Sequence, residues 1–172
     1  MSHQSRGHIV IIGAMGVGKT TVGQLLAAEL DRPFIDSDAE IEARTGESGV
    51  EIAARDGVEA LHRVELEVFV DMMGSKDLSV VAPAASVVDN EAARAHLADN
   101  YTVWLVAPDD VLAERSGAGS HRRPVDAGEQ ALLKQRREPL FTKVSKLILD
   151  TGGIGPRDLV ENLSARLPES FH

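Results

Sequence analysis

Gly13-Ala14-Met15-Gly16-Val17-Gly18-Lys19-Thr20 fits the pattern G-x-x-x-x-G-K-[ST] and has the neighbours that pattern needs. Before it, the apolar run His8 to Ile12 reads as a buried strand; after it, Lys19 to Leu30 reads as a helix. Glycines let the chain turn tightly, so that successive backbone N–H groups point inward as a cradle for an anion. The helix that begins near Lys19 adds its positive end. Lys19 is then placed to reach the β- and γ-phosphates of a nucleoside triphosphate, and the Thr20 hydroxyl to ligate Mg²⁺. The plainer reading is an ordinary glycine-rich turn, but a chance match to the full pattern is expected in fewer than roughly one such chain in a hundred.

Outward from this loop, short runs rich in Val, Ile and Leu alternate with helical patterns. Strands are expected at His8 to Ile12, Pro33 to Asp36, Leu78 to Ala82, Thr102 to Val106 and Lys146 to Leu149. Helices are expected at Lys19 to Leu30, Ala39 to Arg44, Gly57 to Met73, Glu91 to Ala98, Pro108 to Arg115, Ala127 to Thr142 and Pro156 to Leu167. Alternation of this kind predicts an α/β fold: one domain over residues 1–172, a three-layer αβα sandwich around a central, mainly five-stranded parallel sheet. Ser116 to Asp126, reading SGAGSHRRPVD, breaks the pattern. It reads either as a solvated surface loop or as a mobile lid that delivers an arginine to a phosphate.

Composition narrows the partners. The 172 residues are 43% hydrophobic but only 3% aromatic, so the core is aliphatic and no stacking platform for single-stranded nucleic acid is available. A formal net charge of −9 argues against nucleic acid or an anionic membrane as the main partner. There is no cysteine, which excludes disulfides and thiolate metal sites. No stretch reads as a signal peptide or a membrane span, so the expected compartment is the cytoplasm. His3, His8, His96 and His172 lack ligand spacing and read as surface or terminal residues, and Trp104 as packing in or beside the sheet. The sequence does not speak to oligomeric state.

Phe34-Ile35-Asp36-Ser37-Asp38 supplies the second chemical feature. Two carboxylates two residues apart at the C-terminal edge of a strand enter the crevice where α/β folds bind ligands. One can organise hydrated Mg²⁺, and the other can accept the proton of a hydroxyl that attacks the γ-phosphate. A helix N-cap at Ser37 or Asp38 is compatible with either role. The base-reading element N-K-x-D of guanine-specific proteins is absent, the nearest stretch being Ser75-Lys76-Asp77-Leu78, so ATP is the expected nucleotide.

From Ile12 to Leu163 the chain resembles the shikimate kinases. The resemblance rests on IGAMGVGKTTVGQLLAAEL, on FIDSDAEIEARTG, on IAARDG followed by a charged helix, on Arg123-Pro124, and on Arg137-Glu138-Pro139-Leu140-Phe141. It implies ATP-dependent transfer of a phosphoryl group to a hydroxyl of shikimate, a small-molecule acceptor. By resemblance, Gly13 to Gly18 with Lys19, Thr20 and Thr21 hold the nucleotide, and Arg115 and the turn at Pro156 border its adenine. Thr20 and Asp36 serve Mg²⁺, Asp38 holds the acceptor hydroxyls and acts as base, Arg123 is the lid arginine, and Arg137 pairs with the acceptor carboxylate. Lys19, Asp38 and Arg123 are the expected catalytic set.

Two departures fall at the acceptor end. Where the family carries an arginine on the helix after the Asp-Gly turn, this chain has His62, and Arg63 points about 100° away from it. Where the family has a run of glycines after the third strand, this chain reads Ala82-Pro83-Ala84-Ala85. Pro83 removes a backbone donor and fixes φ, and the added Cβ atoms take up space. His62 is accordingly expected to stand in, when protonated, for the missing arginine at the substrate carboxylate. Two alternatives stay open on these grounds: a different small hydroxylated acceptor, or a homologue that binds ATP but has lost turnover.

Overall fold

The computed structural model describes residues 7–117 and 126–172. Five strands, β1 (Ile9–Gly13), β2 (Phe34–Asp36), β3 (Val80–Ala82), β4 (Tyr101–Val106) and β5 (Leu147–Asp150), form one parallel sheet in the order β2-β3-β1-β4-β5. In the longest ladder, Ile9 to Gly13 pair one for one with Tyr101 to Leu105. The chain fills one side of β1 first and crosses to the other only between β3 and β4. That reversal opens a crevice at the C-terminal end of β1, where the glycine loop lies.

β1 is apolar throughout because both its faces are covered. Ile9 and Ile11 pack with Leu26, Leu159 and Leu163 from helices α1 (Lys19–Glu29) and α8 (Pro156–Ser164). Val10 and Ile12 point to the opposite face and meet Phe69, Leu97 and Phe141. These belong to α4 (Val58–Met73), α5 (Glu91–Asp99) and α7 (Ala127–Val144). The four residues Ile9 to Ile12 are 0–1% exposed, and each such side chain stabilises by about 1.5–3 kcal/mol. The three-layer sandwich with five parallel strands is the architecture expected from the sequence. Trp104 lies on β4 and packs on Phe141, ring centroids 5.6 Å apart.

A third cluster, Ile41, Ile52, Leu61, Val68, Met72 and Val81, ties α2 (Ser37–Thr45) and α3 (Gly49–Asp56) onto α4 and β3. α3 was not anticipated from periodicity, because Val50 and Ile52 alone do not make a helical stripe. Its signature is a capping box instead: the Ser48 hydroxyl accepts from the Glu51 N–H, and the Glu51 carboxylate accepts from the Ser48 N–H at 2.7 Å. Other boundaries also move. α2 starts at Ser37 with Asp36 as its N-cap, not Ser37 or Asp38. α6 (Asp109–Gly117) runs two residues into the segment expected to be irregular. Residues 85–89, given no element by the sequence, form a 3₁₀ turn.

His8 is not a surface residue. It is 4% exposed, and its Nδ1 accepts from the Ser79 N–H at 3.2 Å, which ties β1 to the start of β3. Burial lowers its pKa from the ordinary imidazole value. No helix among the described residues is long and apolar enough to cross a membrane.

Candidate functional site

The loop from β1 to α1 owes its shape to three glycines with positive φ: Gly13 at 148°, Gly16 at 83° and Gly18 at 107°. At Gly13 the requirement is also steric, since a Cβ there would stand 2.6 Å from the Leu105 carbonyl oxygen and 2.9 Å from the Val17 side chain. Val17 is buried, and its N–H donates to the Ala14 carbonyl at 3.3 Å. Lys19 reaches back over the loop, its Nζ donating to the carbonyls of Gly13 at 3.0 Å and Ala14 at 3.2 Å. The ammonium thus stands at the mouth of a turn that also ends in a helix N-terminus, a setting suited to phosphate.

Thr20, in the first turn of α1, meets Asp36 at the end of β2. Its Oγ1 donates to Asp36 Oδ2 at 2.6 Å, while Asp36 Oδ1 accepts from the Asp38 N–H at 2.9 Å. Hydroxyl and carboxylate form a hard-oxygen pair of the kind Mg²⁺ takes together with phosphate oxygens and water. Among the described residues there is no cluster of three or more His, Cys, Asp or Glu that could hold a metal by itself. The donor set therefore fits a metal that arrives with a phosphate.

Arg115 on α6 closes the other side of the loop. Its Nη1 donates to the Val17 carbonyl and to Thr151 Oγ1, both at 3.2 Å, and so links the loop to the turn after β5. Pro156, the first residue of α8, lies beside that turn.

Residues 15–21, Asp36, Asp38, His62, Arg115, Arg137 and Pro156 all line one cavity of about 1080 Å³. Gly13 and Ala14 stand behind it, holding Lys19 by their carbonyls. Arg123 lies outside the described residues, as does the segment 118–125 of the expected lid. Arg63 is exposed and absent from the cavity wall, in keeping with its helical position.

At the far end the cavity meets residues the sequence did not single out. Glu65, 9% exposed on α4, accepts a hydrogen bond from the Ser86 hydroxyl. Burial pushes its pKa up to about 7; the Ser86 hydrogen bond opposes this, Asp38's charge adds to it, and Arg137 and Lys19 oppose it. One turn before it, His62 is half-buried on the same helix face, which is the sequence signal that could have found Glu65. No residue from Ala82 to Ser86 has a positive φ. The segment that replaces the glycine run has thus settled into ordinary backbone, with Ala84 extended and residues 85–89 turning.

The family model for shikimate kinase matches residues 15–168. The shikimate kinase of Symbiobacterium thermophilum is 32% identical over 168 residues, covering 94% of this chain and 97% of that protein. The Thermobifida fusca shikimate kinase is 35% identical over 167 residues, covering 95% and 96%. Among solved structures, a shikimate kinase from Acinetobacter baumannii in complex with shikimate matches with a TM-score of 0.85 at 29% identity, covering 96% of this chain and 97% of that one.

Glu65 makes stability depend on pH. Its folded pKa of about 7 lies above the ordinary 4.5, so between those values the folded chain keeps a proton that the unfolded chain has released. Its contribution is fully present below about 4.5 and lost as pH rises through about 7. Glu65→Gln stays neutral at every pH and should melt several degrees higher than the parent at pH 8, on the order of 3 kcal/mol at most, with little difference at pH 4.5. Thermal melts at the two values check this; an equal difference at both contradicts it.

Proposed function

The chain belongs to the shikimate kinase family, and on that footing we propose that it transfers the γ-phosphoryl group of ATP to a hydroxyl of shikimate. The observation that carries the reading is one cavity lined together by the phosphate loop, Asp38 and Arg137. Backbone N–H groups of residues 14–20 and the Lys19 ammonium bind the triphosphate. Arg115 and Pro156 border the adenine. Asp38 orients the acceptor and takes the proton of the attacking hydroxyl as its oxygen bonds to the γ-phosphorus, while the bond from that phosphorus to the bridging oxygen breaks and ADP leaves. By resemblance Arg123 is the arginine that serves the transferring group, and Arg137 offers its planar fork to the acceptor carboxylate. Mg²⁺, held by Thr20 and Asp36, would neutralise charge on the β- and γ-phosphate oxygens.

A second reading, a hydroxylated acceptor without a carboxylate, draws on the side chains that line the acceptor end at Ala82 to Ser86 and on the buried carboxyl of Glu65. Coupled measurement of ADP release separates the two. We expect release on adding shikimate, and a loss of about 10²–10⁴ in kcat for Asp38→Asn with nucleotide affinity retained. Release only with an uncarboxylated polyol favours the second reading, and nucleotide binding without release under any acceptor overturns both.

A pH series tests the place of His62 at the acceptor. If its protonated ring meets the acceptor carboxylate, KM for shikimate falls between about pH 8 and 6, where an imidazole ordinarily titrates. Protonation of Glu65 removes a nearby negative charge over part of the same range and acts in the same direction. His62→Gln should therefore flatten the profile without abolishing it. A KM that is flat in the parent, or unchanged in slope by the substitution, removes His62 from acceptor binding.

A further inference from the structure

Arg137 is held by a carboxylate that stands outside the acceptor cavity. Its Nη2 donates to Asp89 Oδ2 at 2.8 Å, and its Nε lies 3.1 Å from Oδ2 and 3.3 Å from Oδ1. Arg136, the neighbouring residue on α7, donates from Nη2 to the same Oδ2 at 2.7 Å. Burial alone would raise the Asp89 pKa, but its hydrogen bonds and the charges of Arg137 and Arg136 outweigh that and hold the carboxyl below the usual range. It is an anion shared by two cations.

The placement of the three groups decides what the arrangement does. Arg137 lines the cavity that begins at the phosphate loop, whereas Asp89 and Arg136 line the adjoining groove and not the cavity. The nearly buried guanidinium thus belongs to the cavity, and its two charged neighbours to the groove. Its Nε–Nη2 edge is taken by Asp89, and among the described residues no acceptor meets Nη1. Were Asp89 a competitor for the acceptor's carboxylate, it would have to stand in the cavity.

We propose that Asp89 is a positioning residue for the acceptor: it locks the side-on edge of Arg137 so that the Nη1 edge is presented to the acceptor carboxylate, while Arg136 offsets the charge of Asp89. Two guanidiniums on one carboxylate leave one positive charge to be met, and a substrate carboxylate meets it. A long side chain fixed in advance loses little freedom when the substrate arrives, which is how such a clamp gains affinity. The arrangement also supplies a second cation next to the acceptor end of a chain that carries His62 on α4 where the family has an arginine. The inference rests on the shikimate reading.

The test is steady-state kinetics of the intact protein with shikimate and ATP varied separately, for the parent, Asp89→Ala, Asp89→Asn, Asp89→Glu and Arg136→Ala. Asp89→Ala should raise KM for shikimate about tenfold, with KM for ATP within about twofold. Asp89→Glu should recover most of the loss, and Arg136→Ala, an exposed partner, should raise KM for shikimate by about two- to threefold. Asp89→Asn keeps the shape of the site and should still raise that KM, which covers the case in which the alanine variant melts early. A KM for shikimate that falls or stays the same in the Asp89 variants overturns the inference. So does a matching rise in KM for ATP, which marks a general structural role. If the parent itself releases no ADP with shikimate, the proposed function fails and takes this inference with it; a failure confined to the variants leaves that function standing.

Discussion

Everything at this site depends on the chain making a left-handed turn between β1 and α1. Gly13, Gly16 and Gly18 adopt backbone angles that side-chain-bearing residues rarely take, and Gly13 packs so closely on the Leu105 carbonyl that no Cβ fits. The turn holds because β1 is anchored on both faces by Ile9 to Ile12 and α1 is pinned by Val22 and Leu26. Only then can Lys19 fold back onto the Gly13 and Ala14 carbonyls and Thr20 reach Asp36 across to β2. Backbone geometry, more than any single side chain, creates the anion cradle.

The acceptor end follows a different logic, one of balanced charge in a partly buried space. Asp38 and Glu65 bring negative charge; Lys19, Arg137 and, when protonated, His62 oppose it. Glu65, pushed up chiefly by burial, holds its proton to about pH 7 and so limits the negative charge. Arg137 answers it by pairing with Asp89, which is itself shared with Arg136. Ser86, directly after the altered stretch Ala82 to Ala85, takes part as well, since its hydroxyl is the partner of Glu65.

The phosphate loop and the sheet were legible in the sequence because their signals are local. A motif of eight contiguous residues fixed the turn, and strands buried on both faces are apolar without interruption. The capping box at Ser48 and Glu51 is equally local, but Val50 and Ile52 beside it are too few to suggest a helical stripe. Glu65, Ser86 and Asp89 were not legible for another reason. Each gains its meaning from a partner at least 21 positions away in the chain; nothing in the neighbouring residues marks Ser86 or Asp89, and only His62, one turn away on α4, points to Glu65. His8 was misread for the same cause, as its partner Ser79 is 71 residues distant. Arg123, expected from resemblance, lies outside the described residues.

The proposed function requires first that the amides of residues 14–20 and the ammonium of Lys19 together hold a nucleoside di- or triphosphate. Equilibrium titration of the parent and of Lys19→Ala with ATP in the presence of Mg²⁺ addresses it directly. A charged hydrogen-bond donor to phosphate contributes about 1.5–3 kcal/mol, so the parent should bind clearly and the variant roughly 10- to 100-fold more weakly. No binding by the parent, or equal affinity in the two proteins, would contradict it.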